Sequence, residues 1–176
     1  MADDSNEITG NISATGSTEG NGFDEAAANG PQVGILTQYT KDLSFENPGA
    51  PASLQMEGQP RIEINVNVNA RRAADDVYEV ELKIDAKAMN GDAVAFAVEL
   101  LYAGLFGLRN MPDEALEPFL VVEAPRILFP FARRIIADAT RDGGFPPLML
   151  EPIDFGSLYL AQQNAGAGGM PAMGNA

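Results

Sequence analysis

Three stretches of the chain alternate apolar and polar side chains with a period of two, which is typical of β-strands with one solvated face. In the first, the alternation predicts one face with Tyr39, Lys41, Leu43 and Phe45 and an opposite face with Thr40, Asp42, Ser44 and Glu46. The second and third stretches predict apolar faces made of Ile62, Ile64, Val66 and Val68, and of Tyr78, Val80, Leu82 and Ile84.

A fourth stretch follows the same period of two but is apolar on both sides. One face holds Val94, Phe96, Val98, Leu100 and Tyr102, and the other holds Ala95, Ala97 and Leu101 beside a single charge, Glu99. We therefore predict that both faces of this strand are largely covered. The sequence Asn90-Gly91-Asp92 predicts a tight hairpin into the strand. Gly104-Leu105-Phe106-Gly107 has no following Lys-Ser/Thr, so a turn or bulge is favoured over a phosphate loop.

Beyond the strands the apolar spacing becomes helical. Leu128, Phe131, Ala132, Ile135 and Ala139 recur at intervals of three and four residues. Gly143-Gly144 predicts the end of this long helix, and Pro130 is expected in its first turn or at a kink. Asp154 is a candidate N-cap for a short C-terminal helix near residues 155–163. A four-stranded antiparallel sheet followed by a long helix and a short C-terminal helix makes an α+β domain.

The ends of the chain differ in composition from its middle. Residues 1–30 are rich in Gly, Asn, Ser and Thr and carry only acidic charges, which predicts a disordered N-terminal tail. Residues 164–176 are rich in Gly, Ala and Met and predict a flexible tail, which leaves 31–163 as the folded domain. The first residues are acidic where a signal peptide is basic, and no long apolar run follows, so we expect a cytoplasmic protein.

Composition removes several kinds of chemistry. The 176 residues include no His, Cys or Trp, which excludes disulfides, thiolate nucleophiles and His-dependent triads. A formal charge of -14 argues against binding to nucleic acid or to an anionic membrane surface. Asp75-Asp76 and the pair Glu79 and Glu81 are the carboxylates that a metal-dependent hydrolase would need, but each is explained more simply as solvated strand or hairpin charge. We expect no catalytic residues, no metal and no cofactor.

Some large apolar residues remain after the predicted core is counted. Seven large apolar residues lie on a proline-rich segment that is only partly helical: Phe145, Leu148, Leu150, Ile153, Phe155, Leu158 and Tyr159. They can belong to the core, or they can form subunit contacts and an adaptable apolar groove. The pattern alone leaves these alternatives open.

Four separated segments resemble the SecB family of bacterial protein-export chaperones, and they follow the order of that family. They are residues 39–48 (YTKDLSFENP), 75–80 (DDVYEV), 127–133 (ILFPFAR) and 144–155 (GFPPLML, then PIDF). The resemblance implies an ATP-independent cytosolic holdase that keeps secretory precursors unfolded and delivers them to the translocase ATPase SecA. It also implies a homotetramer, a dimer of dimers with helices between two antiparallel sheets, that does not insert into membranes.

The same resemblance implies roles for particular residues. Asp42 and Glu46 on the first strand and Glu99 on the fourth correspond to the acids of the family that contact SecA, whose partner segment is small, basic and zinc-binding. Many members have Trp before Gln-Pro in the crossover loop of the client groove, whereas this chain has Gly58. We therefore expect the groove to depend on the seven apolar residues between Phe145 and Tyr159.

Two other functions compete with the export role. A chaperone of the same fold can be dedicated to one antitoxin of a toxin–antitoxin system, and the sequence separates it from the export role only through the retained acids Asp42, Glu46 and Glu99. A metal-dependent carboxylate hydrolase is a rival from a different class. Both alternatives remain open at the level of the sequence.

Overall fold

The computed structural model describes residues 30–55 and 57–167. The tails predicted at 1–30 and 164–176 fall almost entirely outside these ranges, so both remain predictions. The C-terminal helix continues to Ala167, a few residues beyond the predicted end of the domain.

Four antiparallel strands form one sheet, as the alternating pattern predicts. They are β1 (Gln32–Glu46), β2 (Arg61–Ala74), β3 (Val77–Asn90) and β4 (Ala93–Arg109), in the spatial order β1-β4-β3-β2. Each strand is longer than its alternating run. Because of this spatial order, β1 and β2 lie at opposite edges of the sheet although they are consecutive in sequence. The segment between them, residues 47–60, has to cross the end of the sheet, and we call it the crossover segment. It includes a 3-10 turn at Ala52–Gln55.

The hairpin predicted at Asn90-Gly91-Asp92 is confirmed. β3 ends at Asn90 and β4 begins at Ala93, with Gly91 in the left-handed region at φ 60°. Glycine suits this position because it has no Cβ to clash there. A second tight turn, at Asp75-Asp76, joins β2 to β3.

β-Bulges change the face assignments that strict alternation predicts. The register of β1 against β4 shifts between Ile35 and Thr37 and again between Thr40 and Asp42. Each extra residue reverses the alternation, because two residues of the bulged strand then oppose one partner. Tyr39 consequently pairs with Ala103, on the opposite side of the sheet from Leu43 and Phe45. The predicted grouping of Tyr39 with Leu43 and Phe45, and of Thr40 with the acids, is wrong.

Helices cover one face of the sheet, which we call the core face. They are α1 (Asp113–Pro118), a π-helical turn (Phe119–Glu123), α2 (Ala124–Asp142) and α3 (Phe155–Ala167). α2 and α3 are the predicted long and short helices. α2 begins earlier than expected, so Pro130 lies inside it rather than in its first turn. Its end is as predicted, with Gly143 as the C-cap and Gly144 at φ 88°.

The core lies between β3, β4 and α2. Its fully buried members include Leu82, Ile84, Leu100, Leu128 and Ile136. Gly104 allows α2 to approach β4 closely, since a Cβ built there would lie 2.8 Å from Leu128 Cδ2. The run Gly104–Gly107 lies within β4 and is not a turn. A bulge does occur opposite it, and its extra residue belongs to β1, between Ile35 and Thr37.

The second face of β4, on the side away from α2, is only partly covered. Ala103 is fully buried, Leu101 is half-buried and Glu99 is exposed. Ala95 does not belong to this face, because a register shift next to Phe96 turns it towards the core. We call this side of the sheet the outer face. The shielding of Ala103 comes from side chains of β1 and β3 that meet above it.

Candidate functional site

A cavity of about 560 Å³ opens at the end of the sheet where β1 finishes. We call it the groove. Three segments enclose it: the crossover segment, the β3–β4 hairpin with the start of β2, and the residues that follow α2. Its lining consists of Ser53, Leu54, Gly58, Gln59, Pro60, Ile62, Asn90, Ala95, Phe96 and Gly144–Leu148.

The topology explains why these segments meet. Because β1 and β2 lie at opposite edges, the crossover segment passes over the sheet end that also carries the β3–β4 hairpin. α2 ends above the same end of the sheet. Gly143 packs so closely on Phe45 that a Cβ at position 143 would lie 2.2 Å from the Phe45 ring. The chain that leaves α2 is thereby brought against the crossover segment.

An aromatic cluster forms the base of the groove. The ring centroids of Phe96 and Phe145 are 4.9 Å apart, and those of Phe45 and Phe96 are 5.9 Å apart. Such pairs stabilise by about 0.5–1.5 kcal/mol beyond the area they bury. The cluster therefore provides a firm apolar base, while the groove walls are made of loop residues.

One buried hydroxyl holds the wall made by residues 146–148. Thr140 is fully buried, and its Oγ1 donates to the carbonyl oxygen of Ile136 at 3.0 Å. The same oxygen accepts the backbone N–H of Leu148 at 2.9 Å. Since Pro146 and Pro147 have no N–H to donate, Leu148 provides the first backbone donor after Phe145 that can attach this wall to α2.

The seven predicted groove residues separate into three groups. Phe145 and Leu148 line the groove. Leu150 and Phe155 are each only 2% exposed and belong to the core, where Phe155 packs edge-on against Phe129. The others, which lie on and just before α3 beside the π-helical turn, are Ile153, Leu158 and Tyr159.

Several lining residues were not predicted from the sequence. Leu54 and Ile62 enter the groove because the crossover segment returns over the sheet end, which no local pattern indicates. Gly58 lies in the lining as the crossover loop suggested, but at φ 98° with nothing within 4 Å of a built Cβ. The space that a large side chain would fill at this position is open.

The register brings the three predicted acids together on the outer face. Asp42 pairs with Leu101, Ser44 pairs with Glu99, and Glu46 pairs with Ala97. Glu99 thus lies opposite the midpoint between Asp42 and Glu46, at the diagonal separation of roughly 7–8 Å that such neighbours have. We call Asp42, Glu46 and Glu99 the acidic triad.

A fourth carboxylate adjoins the triad. Asp85 of β3 pairs directly with Glu99 of β4, and Lys83 Nζ lies 3.4 Å from its Oδ1. Asp85 was not predicted as a site residue, although its alternating position on the polar side of β3 indicated that it shares a face with other charges. Lys83 therefore offsets the negative charge that Asp85 adds to the middle of the outer face.

Further along the outer face, charged side chains of three strands bond above β4. Glu79 is only 3% exposed, and it accepts hydrogen bonds from Tyr39 and from Lys41 Nζ at 3.2 Å. Arg71 of β2 also bonds to Glu79, and Lys41 bonds to Glu81 as well. We call these five residues the polar clamp.

The clamp shifts the proton affinities of its members. The hydrogen bond from Tyr39, more than those from Arg71 and Lys41, holds the pKa of Glu79 below its ordinary value, although burial opposes this effect. The hydrogen bond to Glu81, followed by the one to Glu79, raises the pKa of Lys41. Glu79 and Lys41 therefore keep their charges at neutral pH.

Apolar side chains are exposed on the core-face side of β1 and on α2. Val33, Ile35 and Leu43 of β1 are between 43% and 47% exposed, and Leu36 at the first bulge is 58% exposed. Phe131 of α2 stacks on Tyr102 and is 45% exposed. An apolar strip of this kind beside an edge strand is typical of a surface that pairs with another chain.

Residues 30–55 and 57–167 contain neither a membrane-spanning helix nor a cluster of metal-binding side chains. None of the helices there is long and apolar enough to span a membrane. The same ranges contain no group of three or more acidic, His or Cys side chains arranged to hold a metal ion.

Known proteins with similar sequences point to the SecB family. The sequence model for the preprotein translocase subunit SecB matches residues 26–166. A protein-export protein SecB from Rhizorhabdus wittichii is 60% identical over 145 residues, which cover 81% of this chain and 87% of that protein. The corresponding protein from Zymomonas mobilis is 57% identical, and covers 81% of this chain and 89% of its own length.

A solved structure shares the fold. It is a SecB-like chaperone from Mycobacterium tuberculosis in complex with a peptide from the HigA1 antitoxin. The TM-score is 0.57 with 17% sequence identity, over 73% of this chain and 91% of that one. At this identity the likeness concerns the fold alone.

Proposed function

This chain belongs to the SecB family, and we propose that it is a protein-export chaperone that holds secretory precursors unfolded in the cytoplasm and delivers them to SecA. Holding requires surface rather than catalysis, so the proposal includes neither an enzymatic activity nor ATP. The observation that carries the delivery step is the register of β1 against β4, which assembles the acidic triad on one exposed face.

The groove is the proposed client site. Its lining is mostly apolar, with Phe96 and Phe145 at the base and Leu54, Ile62 and Leu148 in the walls. Apolar burial contributes roughly 25 cal/mol per Å² for any side chain, so such a groove accepts clients without a sequence motif. Its mixed loop walls suit segments of different shape.

An edge of the sheet extends this site. Ile62 lines the groove at the start of β2, and the next core-face residue, Ile64, is 48% exposed. β2 is an edge strand, and its register with β3 is regular from Arg61 to Arg72. An extended client that leaves the groove can therefore form backbone hydrogen bonds along β2, as added strands do elsewhere.

The proposed assembly is a homotetramer, a dimer of dimers. It is supported by the exposed apolar strip of β1 with Phe131, which a second copy would cover. The bulges of β1 at Leu36 and Lys41 break the regular edge, so side-chain packing is expected to dominate this contact. Light scattering should give about 74 kDa, four times the 18.6 kDa of one chain.

The proposed SecA site is the acidic triad. Each exposed ion pair contributes only about 0–1 kcal/mol, so several must act together on a basic partner segment. Binding should weaken as salt rises, because charges on an exposed face are screened over about 8 Å at physiological ionic strength.

The test is the double variant Asp42→Lys with Glu99→Lys. We expect it to lose SecA binding in calorimetry while the tetramer mass and the holding of an unfolded precursor stay unchanged. SecA affinity that is unaffected by the double variant, or by salt, would show that the triad is an ordinary solvated surface. A chain that holds an antitoxin but no secretory precursor would instead support the antitoxin-dedicated role.

A further inference from the structure

Lys41 and Asp42 are consecutive residues that both project onto the outer face. Asp42 pairs with Leu101, which lies on that face, while Lys41 occupies the bulge between Thr40 and Asp42. The ammonium of Lys41 reaches Glu79 and Glu81, whose partners Leu105 and Ala103 belong to the same face. In a regular strand the two side chains would point to opposite sides. The bulge thus places a cation beside the first acid of the triad.

The polar clamp directs this cation away from Asp42. Lys41 Nζ lies 3.2 and 3.3 Å from the two carboxylate oxygens of Glu79 and also bonds to Glu81. To reach them, the lysine stem crosses β4 above Ala103, whose small side chain is fully buried beneath it. A larger residue at 103 would obstruct this path.

The acceptors themselves are fixed in place. Glu79 is 3% exposed and is also bonded by Arg71 of β2, while Asn69 Nδ2 donates to Glu81 Oε2 at 3.0 Å. A lysine stem is flexible and carries a compact charge, so without these acceptors its ammonium is free to pair with another carboxylate on the outer face. Asp42, the adjacent residue, provides one.

We propose that Glu79 and Glu81 sequester the Lys41 ammonium, so that the Asp42 carboxylate stays available to the basic segment of SecA. The proposal rests on the proposed SecA site and adds positioning residues to it. Glu79 and Glu81 act through Lys41 and need not touch SecA. Their role is to prevent an internal ion pair that would compete with the partner.

The test is a mutational cycle with SecA affinity measured at low salt. The variants are Lys41→Met, Glu79→Gln with Glu81→Gln, and all three changes together. Lys41→Met should change affinity little in the wild-type chain, where the ammonium is already paired. The chain with Glu79→Gln and Glu81→Gln should bind SecA on the order of fivefold more weakly, as expected for one exposed ion pair. Adding Lys41→Met to that chain should restore most of the lost affinity.

The result would be different if SecA affinity depended only on the net charge of the chain. In that case Lys41→Met changes the affinity by the same factor in both backgrounds, and the sequestration is refuted. Lys87→Met is the matched control, because Lys87 shares the outer face but lies roughly 20 Å along β3 from Glu81, six residues at about 3.3 Å each. Its effect should be equal in both backgrounds.

Two further measurements keep the result interpretable. Tetramer mass and precursor holding show whether each variant is folded, and Glu81→Gln alone provides a milder change, since Glu81 is more exposed than Glu79. It should show the same rescue by Lys41→Met at reduced size, and its absence would count against the proposal. If the wild-type chain does not bind SecA at all, the proposed function fails instead.

Discussion

Replacing Thr140 by valine is expected to loosen one wall of the groove while α2 stays folded. Valine has nearly the same shape as threonine, so the buried packing is retained and only the hydroxyl is lost. The N–H of Leu148, now bonded to Thr140 Oγ1 at 2.9 Å, then has no partner in α2. The carbonyl of Ile136 loses only a supplementary bond, because it lies inside the helix.

The magnitude follows from the lost hydrogen bond. Leaving a buried donor unsatisfied costs about 1–3 kcal/mol, and Leu148 is half-buried, which favours the lower end. A loss of about 1.4 kcal/mol corresponds to a tenfold change in an opening equilibrium. Hydrogen exchange at the Leu148 amide should therefore become on the order of tenfold faster. Binding of an unfolded client should weaken by a smaller factor, because the aromatic base remains.

Native-state hydrogen exchange measures this directly. Thr140→Ser is the control, because serine keeps the hydroxyl and removes only a methyl group, so the protection of the Leu148 amide should persist even if global stability falls. Unchanged protection of that amide in Thr140→Val would refute the inference that this hydroxyl holds the wall.

Three other changes test separate parts of the structure. Leu54→Ser, in the groove wall, should weaken precursor holding in a refolding assay, whereas Leu160→Ser, which is exposed but outside the lining, should not. Gly104→Ala should lower the free energy of unfolding, measured by urea denaturation, by about 1–3 kcal/mol, because its Cβ would meet Leu128. Gly34→Ala, whose Cβ has open space, is the control, and an effect of Gly104→Ala no larger than that of the control would contradict this. The pKa of Glu79 is held below its ordinary value of 4.5, so its stabilising effect is present above that pH and is lost as the pH falls through the lower folded value. The difference in unfolding free energy between wild type and Glu79→Gln should thus shrink below pH 4.5, and a constant difference from pH 7 to 3 would oppose this interpretation.

Local patterns were sufficient for most of the fold. Alternation located all four strands, Gly91 marked the hairpin, and Gly143-Gly144 marked the end of α2, because each depends on neighbours in sequence. Asp154 also behaves as predicted, since its side chain accepts the N–H of Ser157 at 3.0 Å at the start of α3. These features are fixed by backbone chemistry over a few residues.

The bulges could not be predicted in the same way. The bulges at Leu36 and Lys41 have no signal in the local sequence, so only the pairing of β1 with β4 shows them. The early start of α2 was missed for a related reason. A proline is most common in the first turn of a helix, whereas Pro130 lies inside α2.

The site divides along the same line. The acids Asp42, Glu46 and Glu99 were identified by resemblance, and the register places them together, although their binding role remains a prediction. For the groove, hydrophobicity could not separate Leu150 and Phe155, which are core, from Phe145 and Leu148, which line the cavity. That separation depends on which side of the segment faces α2.

The most direct measurement of the central claim follows the refolding of a secretory precursor in the absence of nucleotide. The precursor is diluted from denaturant with and without this chain, and SecA is then added. We expect stoichiometric amounts of the tetramer to stop refolding, and SecA to form a complex with the loaded chaperone that raised salt dissociates. Refolding at the same rate with and without the chain would contradict the account.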